Sequence, residues 1–397
     1  MSARAGSAGE VFRAFLALGL VAFGGPIAHV GYLREAFVRR RGWLDEAQFA
    51  QLLAVCQFLP GPASSQMGFA IGLFRAGWRG ALAAFVGFTL PSALLMLGFA
   101  MALPSLGQGA GASALHGLKL VAVVVVAHGL VGMARQLVPD LRRAAIALAC
   151  LALVMFAGSA WSQVAAIALG ALAGAGWGPR LPPPTEALFP VRHGYRAAVV
   201  LAGLFAVGLL LAMLAPPGAV PSVATLAAAC YRAGALVFGG GHVVLPLLEQ
   251  ALVRPGWLQA DAFLVGYGAA QAVPGPMFSL AAYLGAALPL GVAPVVGGLV
   301  ALIALFLPGF LLLAAVLPLW TRLVRHPRAA RAIAGANAAV VALLAAAFVD
   351  PVLREGVRSP LDAGIAVVGY VLLAQVRVPA WGIVVWCVAA AVLAGLR

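Results

Sequence analysis

The chain of 397 residues is 64% hydrophobic and only 9% charged. About a quarter of the residues of a soluble globular protein carry charge, so this composition excludes that class. Four stretches have no charged residue: 80–118, 144–179, 197–231 and 262–321. Each is longer than the roughly 20 residues that a membrane-spanning helix needs. The sequence therefore predicts an all-α, polytopic membrane protein.

The net charge of +14 does not indicate binding to nucleic acid. The 25 basic residues lie in small groups between apolar stretches, without a basic arm or an aromatic stacking platform. The four cysteines lie singly in apolar segments without CxxC spacing, so we expect neither disulfides nor a metal site. The short polar start, at 1–10, predicts no cleavable signal peptide.

The apolar segments, taken in chain order, predict two helical hairpins and four spans in each half. The first half has hairpins at about 10–38 and 47–75 and spans near 81–103, 113–134, 141–157 and 159–178. A proline-rich linker at 178–196 leads to a connecting span near 197–215. The second half has hairpins at about 222–250 and 260–289 and spans near 294–318, 332–350, 361–376 and 379–396. The predicted domains are 10–178, a linker region at 179–221, and 222–397.

Short sequence blocks recur in the same order in both halves, which predicts an internal repeat. The first three recur at an offset of 215 or 214 residues: Phe-Gly-Gly at 23–25 and 238–240, Gly-Trp-Leu at 42–44 and 256–258, and Pro-Gly-Pro at 60–62 and 274–276. A glutamine, Gln57 or Gln271, precedes each Pro-Gly-Pro by three residues. Leu-Pro at 90–91 then matches 307–308, and Gly-Leu-Lys at 117–119 matches Gly-Ala-Asn at 335–337.

The distribution of arginine predicts that the two halves have opposite orientations. Cytoplasmic loops are enriched in Lys and Arg. With a cytoplasmic N-terminus, 19 of the 25 basic residues lie on the cytoplasmic side, four lie outside and two lie within spans. Five crossings separate the matching hairpins, and an odd number requires inversion. Inverted repeats are typical of many secondary transporters. The C-terminus is then expected outside.

Each Pro-Gly-Pro segment predicts a helix break inside the membrane. Such a break must be buried in protein or line a polar cavity. A new half-helix follows, and its first amides lie beside the hydroxyls of Ser64 and Ser65 in one half and of Ser279 in the other. A positive helix N-terminus of this kind binds anions without a fixed charge. The alternative interpretation is a kinked helix with small residues at a packing interface.

Two histidines and two basic residues are further candidates for contact with an anion. His29 and His242 follow the glycine-rich breaks, and a neutral ring can donate to an oxyanion while its protonation couples transport to pH. A packed, hydrogen-bonded histidine is the alternative. Lys119 and Arg232 lie within apolar spans, where ionisable residues are functional candidates. For these two, snorkelling to the interface is the alternative.

These motifs together resemble the chromate ion transporter family in its long, two-domain form, over about 12–395. The resemblance implies efflux of chromate across the bacterial inner membrane, chromate resistance, sulfate as a related oxyanion, and two oppositely oriented homologous domains. The family often has a basic residue six positions before the Phe-Gly-Gly block. Arg232 fits that pattern, whereas the first half has Ala17, a departure that bears on substrate preference and affinity.

We therefore expect a secondary transporter that exports chromate, with no enzymatic activity, cofactor or nucleic-acid partner. A sulfate or other oxyanion carrier, an anion channel, and a membrane enzyme acting on lipid-linked substrates remain alternatives, and a homodimer remains open. No phosphate-binding GxxxxGK[ST] loop for ATP hydrolysis occurs. The expected substrate-binding residues are Gly24, Gly25, His29, Gln57, Gly61, Ser64, Ser65, Gln66, Lys119, Arg232, Gly239, Gly240, His242, Gln271, Gly275, Ser279 and Asn337.

Overall fold

A computed structural model describes residues 6–106, 110–157, 161–178, 189, 193–215, 220–238, 241–320 and 327–395. Over these residues the secondary structure is helical and contains no strand. Within the described ranges, five helical segments are long and apolar enough to cross a bilayer: Ala63–Ser105, Gly111–Leu137, Tyr195–Leu214, Pro294–Leu319 and Arg328–Gly356. The protein is therefore an all-α, polytopic membrane protein, which confirms the predicted fold class.

The first half and the connecting helix are built from eight helices over the described residues. They are α1 (Ala8–Val21), α2 (Gly25–Arg34), α3 (Glu46–Phe58), α4 (Ala63–Ala102), α5 (Ala110–Leu137), α6 (Leu141–Ala157), α7 (Ser162–Trp177) and α8 (Tyr195–Leu214). Polar residues at loop ends start several of them. Ser7 caps α1, and Asp45 forms a capping box with Gln48 at the start of α3.

The described part of the second half is also helical. Its helices are α9 (Val223–Leu236), α10 (Val244–Leu248), α11 (Ala260–Ala270), α12 (Leu280–Ala287), α13 (Pro294–Val316), α14 (Pro327–Ala347), α15 (Pro360–Ala374) and α16 (Ala380–Gly395). Short 3₁₀ turns, Gly241–Val243 and Met277–Ser279, precede α10 and α12. Both α2 and α10 continue as π-helical turns, Glu35–Arg40 and Glu249–Val253.

Close glycine contacts form a hairpin in each half. The backbone of α4 is non-helical at Ala76 and Gly77. A Cβ added at Gly72 would collide with the backbone of Gly80, and the reverse also holds, so the chain turns back on itself there. Gly285 of α12 and Gly297 of α13 make the same reciprocal contact. Small residues allow this close approach of helices inside a membrane.

The last two helices of each half pack on a long helix of the other half. Helices α6 and α7 pack on α14, where the backbones of Gly170 and Gly174 contact that of Gly335. Helices α15 and α16 pack on α5, where Gly117 lies against the backbone of Val388. The halves are therefore intertwined. Sequence periodicity does not predict this exchange, because it identifies apolar faces but not their partners.

The orientation of the halves can be tested at two ion pairs that occupy matching positions. Arg40 donates to Glu35 (Nε to Oε1, 2.9 Å) and Arg254 pairs with Glu249 (Nε to Oε1, 3.2 Å), and both arginines are exposed. In a chain whose four native cysteines are replaced, we expect a membrane-impermeant maleimide added to intact cells to label Arg254→Cys and to spare Arg40→Cys. Permeabilised cells provide the control, in which both react. Equal labelling of both from outside would contradict opposite orientations.

Candidate functional site

The helix breaks of the two halves are joined by two backbone hydrogen bonds. The amide of Gly61 donates to the carbonyl of Val237 (2.7 Å), and the amide of Gly275 donates to that of Ala22 (2.9 Å). Gly61 and Gly275 have φ values of +126° and +106°, in the region that favours glycine. Each bond ties the Pro-Gly-Pro break of one half to the glycine-rich break of the other.

Each Pro-Gly-Pro break also packs on a proline-containing helix of the other half. A Cβ at Gly61 would approach the Cα of Gly309 in α13 to 3.0 Å. Gly309 directly follows Pro308, the proline inside that helix. The side-chain amide of Gln66 donates to the carbonyls of Pro60 and Gly309, both at 2.9 Å. Likewise, a Cβ at Gly275 would approach Oγ of Ser92 in α4 to 2.8 Å. Gln66 is thus a positioning residue for the break.

New helices begin directly after both breaks. Helix α4 begins at Ala63, so Ser64 and Ser65 lie in its first turn, and no side chain caps it. Ser279 ends the 3₁₀ turn before α12. Ser65 and Ser279 are only 3% and 0% exposed, and neither hydroxyl has a hydrogen-bond partner among the described residues. A buried polar group without a partner costs about 1–3 kcal/mol, which favours a polar ligand at these hydroxyls.

His29 connects the first break to the start of α4. Its Nε2 lies 3.0 Å from the carbonyl oxygen of Ala22, and its Nδ1 lies 3.4 Å from Oγ of Ser64. A carbonyl only accepts, so Nε2 carries a proton and donates to it; in the neutral ring, Nδ1 then accepts from the Ser64 hydroxyl. Because this histidine is fully buried, its ring also fits the alternative of a packed, hydrogen-bonded residue.

His242 has a different environment from His29. Its Nδ1 lies 2.7 Å from the hydroxyl of Tyr267, and its ring lies against Gly129 of α5. Tyr267 is fully buried and was not expected from the sequence, because an aromatic residue in an apolar helix usually packs in the core. The two histidines therefore do not form equivalent contacts.

The remaining predicted residues, which are glycines, glutamines and an asparagine, differ in exposure and in their contacts. Gly24 has φ +101° and is the N-cap of α2, which begins at Gly25, whereas Gly239 and Gly240 lie outside the described residues. Gln271 is buried and its side-chain amide contacts the sulfur of Met277 at 3.1 Å, while Gln57 is exposed at the end of α3. Asn337 is half-buried on α14, and its Oδ1 has no partner among the described residues.

Lys119, a candidate for contact with an anion, forms an ion pair in the structure. Its Nζ lies 3.1 Å from a carboxylate oxygen of Asp261, which also accepts from Arg358 at 2.8 Å. Asp261 is in the first turn of α11, about 15 Å along that helix from the break at Gln271. The sequence did not predict this pair, because the partners are 142 residues apart. The positive charge of Lys119 is therefore compensated.

Arg232 lines a cavity of about 80 Å³ beside α9. Gln163, Thr225, Gln250 and Trp257 also line it, and none of its described lining residues is acidic. The guanidinium donates to the carbonyl of Ala212 at 3.4 Å. Arg232 is five residues before Val237, so it lies about 7.5 Å along the helix axis from the break. It is therefore a candidate for supplying positive potential near the breaks.

A polytopic helical bundle whose buried helix breaks are joined at paired backbone bonds has the construction of a secondary transporter. The family model described as "Chromate transporter" matches residues 9–175 and again residues 224–396. The chain belongs to the chromate transporter family.

Similar proteins come from several bacteria. The chain is 26% identical over 373 residues to the "Chromate transport protein" of Pseudomonas aeruginosa, which covers 90% of this chain and 84% of that protein. It is 29% identical over 357 residues to the "Probable chromate transport protein" of Synechococcus elongatus, with 84% and 82% covered. The "Chromate transport protein" of Cupriavidus metallidurans is 27% identical, with 91% and 87% covered. No solved structure matches the chain.

The joined breaks predict that Gly275 is intolerant of any side chain. Gly275→Ala adds left-handed strain of roughly 1–2 kcal/mol and a collision with Ser92 that costs about 1–3 kcal/mol more. Gly256→Ala is the matched control, because Gly256 has φ +78° but no atom within 4 Å of its added Cβ. Thermal unfolding of the detergent-solubilised protein should show a larger drop in midpoint for Gly275→Ala. Equal drops would contradict the packing.

Proposed function

We propose that this protein is a secondary transporter that exports chromate from the cytoplasm and so confers chromate resistance. The family and the names of the relatives support this substrate. The observation that carries the proposal is the pair of buried, unpartnered hydroxyls of Ser65 and Ser279 at new helix starts beside the joined breaks. No metal cluster of histidine, cysteine or carboxylate residues occurs among the described residues, and the proposal requires no cofactor.

The proposed site binds the tetrahedral dianion with neutral donors. The hydroxyls of Ser65 and Ser279 and the free amides of the first helical turns donate to its oxygens, while Ser64, whose hydroxyl donates to His29, lies beside them. Hydrogen bonds to an ion contribute roughly 1.5–3 kcal/mol each, enough for selectivity without a permanently bound counter-charge. Arg232 contributes positive potential, whereas the paired Lys119 contributes less than the sequence suggested. The side chains of Gln57, His242, Gln271 and Asn337 complete the proposed lining. His29 and Gln66 hold the breaks in position, because their donors are bound to backbone carbonyls.

The proposal treats the two halves as inverted repeats in a bacterial inner membrane, with the N-terminus in the cytoplasm and the C-terminus in the periplasm. Three observations support the repeat. The family model matches twice, the backbone bonds between the breaks are reciprocal, and the glycine contacts of the two hairpins correspond. The proposed domains are 10–178, a linker region at 179–221, and 222–397.

The membrane potential supplies the driving force in this proposal. A potential that is negative inside favours the exit of an anion by about 2.3 kcal/mol per charge for each 100 mV. For a dianion the gain is about 4.6 kcal/mol at 100 mV. Export therefore needs no ATP, in keeping with the absence of a phosphate-binding loop from the sequence.

Uptake of radiolabelled chromate into inverted membrane vesicles tests this function. We expect saturable uptake that rises when a potential, positive inside the vesicle, is imposed. Flux independent of the potential would contradict the electrogenic mechanism, and flux that never saturates would indicate a channel. Stronger inhibition by sulfate than by unlabelled chromate would make sulfate the preferred substrate.

The two serines provide the test of the site. The double variant Ser65→Ala, Ser279→Ala removes two donors to the ion, so we expect chromate uptake at low concentration to fall about a hundredfold or more. Ser105→Ala is the matched control, since Ser105 is exposed and bonds only to the carbonyl of Ala102 among described residues. Normal uptake by the double variant, at equal protein in the membrane, would refute the site.

A further inference from the structure

Helices α3 and α11 match in sequence position but differ in exposure. One face of α11 carries Asp261, Leu264, Gly268 and the residue that ends the helix, Gln271. All of these except Asp261 are buried. The same face of α3, 214 residues earlier, carries Ala47, Ala50, Ala54 and Gln57. Of these, Ala54 is half-buried and the other three are exposed. Residues at this spacing lie on one side of a helix, so a whole face is covered in one half and open in the other.

Helix α5 covers the face of α11. A Cβ at Gly268 would collide with the backbone of Leu118, and the neighbouring Lys119 pairs with Asp261. The helix that corresponds to α5 is α14, since Gly117 matches Gly335 at an offset of 218. Helix α14 leaves the α3 face exposed. Helix α14 is therefore the helix expected to cover the exposed face of α3, as α5 covers the matching face of α11.

The neighbouring helices show the same difference. Gly31 and Tyr32 of α2 are exposed, whereas their counterparts in α10, Leu245 and Pro246, are buried. The 3₁₀ turn before α10 and α10 itself pack on α14. The hairpin arms of the second half are thus closed against the long helices, and those of the first half are not.

We infer that the structure is one end state of an alternating-access cycle, closed where α11 packs on α5 and open along the exposed face of α3. This face, with Ala47, Ala50, Ala54 and Gln57, is called the groove below. This inference rests on the proposed transport function. In the other end state α3 closes on α14 and α11 leaves α5, which exchanges the exposures of Gln57 and Gln271. Helix α3 begins a few residues after Arg39, Arg40 and Arg41, on the predicted cytoplasmic side, from which an exported anion enters.

Lys119, Asp261 and Arg358 form the latch of the closed side. Their ion pairs span α5, α11 and the turn before α15. The positions that match Asp261 and Lys119 in the other half are Ala47 and Asn337, which cannot form an ion pair. Only one of the two closed states has a charged latch, so the latch favours the state described here. Lys119 is thereby assigned to gating and not to contact with the substrate.

Cysteine accessibility tests the open groove in a chain whose native cysteines are replaced. In leaky membranes without substrate, we expect a hydrophilic maleimide to label Gln57→Cys and Ala50→Cys rapidly and Gln271→Cys at least about tenfold more slowly. Maleimide reacts with a thiolate, which does not form in contact with lipid. Failure to label Gln57→Cys and Ala50→Cys would show that this face contacts lipid and would overturn the inference.

Removal of the latch provides the second test. Lys119→Gln or Asp261→Asn should speed labelling of Gln271→Cys and slow that of Gln57→Cys, while Lys119→Arg should preserve the original rates. Unchanged rates in both neutral variants, with unchanged thermal stability, would overturn the latch. If the neutral variants lose stability, the converse pair is tested, in which Ala47→Asp and Asn337→Lys introduce the ion pair into the first half. This pair should favour closure of α3 on α14 and so slow labelling of Gln57→Cys.

The control for the converse pair is Ala47→Lys with Asn337→Lys, in which like charges keep the groove open and labelling fast. Equal rates in the two pairs would overturn the proposed closure of α3 on α14. Labelling is measured without an ion. An expected labelling pattern in a protein that does not transport chromate would therefore refute the proposed function and leave the gate intact.

Discussion

Every polar group of the backbone needs a protein partner inside a bilayer, and the helix breaks of this chain satisfy that requirement through each other. The amides of Gly61 and Gly275 donate to carbonyls in the opposite half. Neither half keeps these bonds without the other. The same bonds hold the new helix starts, with Ser65 and Ser279, beside the breaks. The geometry of the proposed site and the assembly of the two halves therefore depend on the same pair of contacts.

Much of the fold could be predicted from the sequence. Charge-free runs indicated the spans, and the predicted span at 141–157 coincides with α6. Pro-Gly-Pro indicated the breaks because proline lacks an amide donor and glycine adopts a positive φ. The packing of α7 on α14 and of α16 on α5 could not be predicted. Both depend on glycine contacts between distant segments, such as Gly170 with Gly335, and no local pattern identifies such partners.

The positions of candidate site residues could be predicted where they follow from neighbouring sequence. Contacts between distant segments could not be predicted. The serines lie in first turns because they follow the breaks directly. The ion pair of Lys119 could not be predicted, because Asp261 approaches it from another helix. The different environments of Gln57 and Gln271 are also invisible in a repeated sequence. The exposure of such a residue depends on the conformation of the protein. Two segments of similar sequence can adopt different conformations when a transporter opens on one side of the membrane at a time.

If the two halves form one shared anion site, as proposed, equilibrium binding of radiolabelled chromate to the purified protein should show one ion bound per chain. Ser65→Ala and Ser279→Ala should each weaken that single site by about tenfold or more. Two independent sites, each sensitive to only one of these substitutions, would show that the halves bind anions separately.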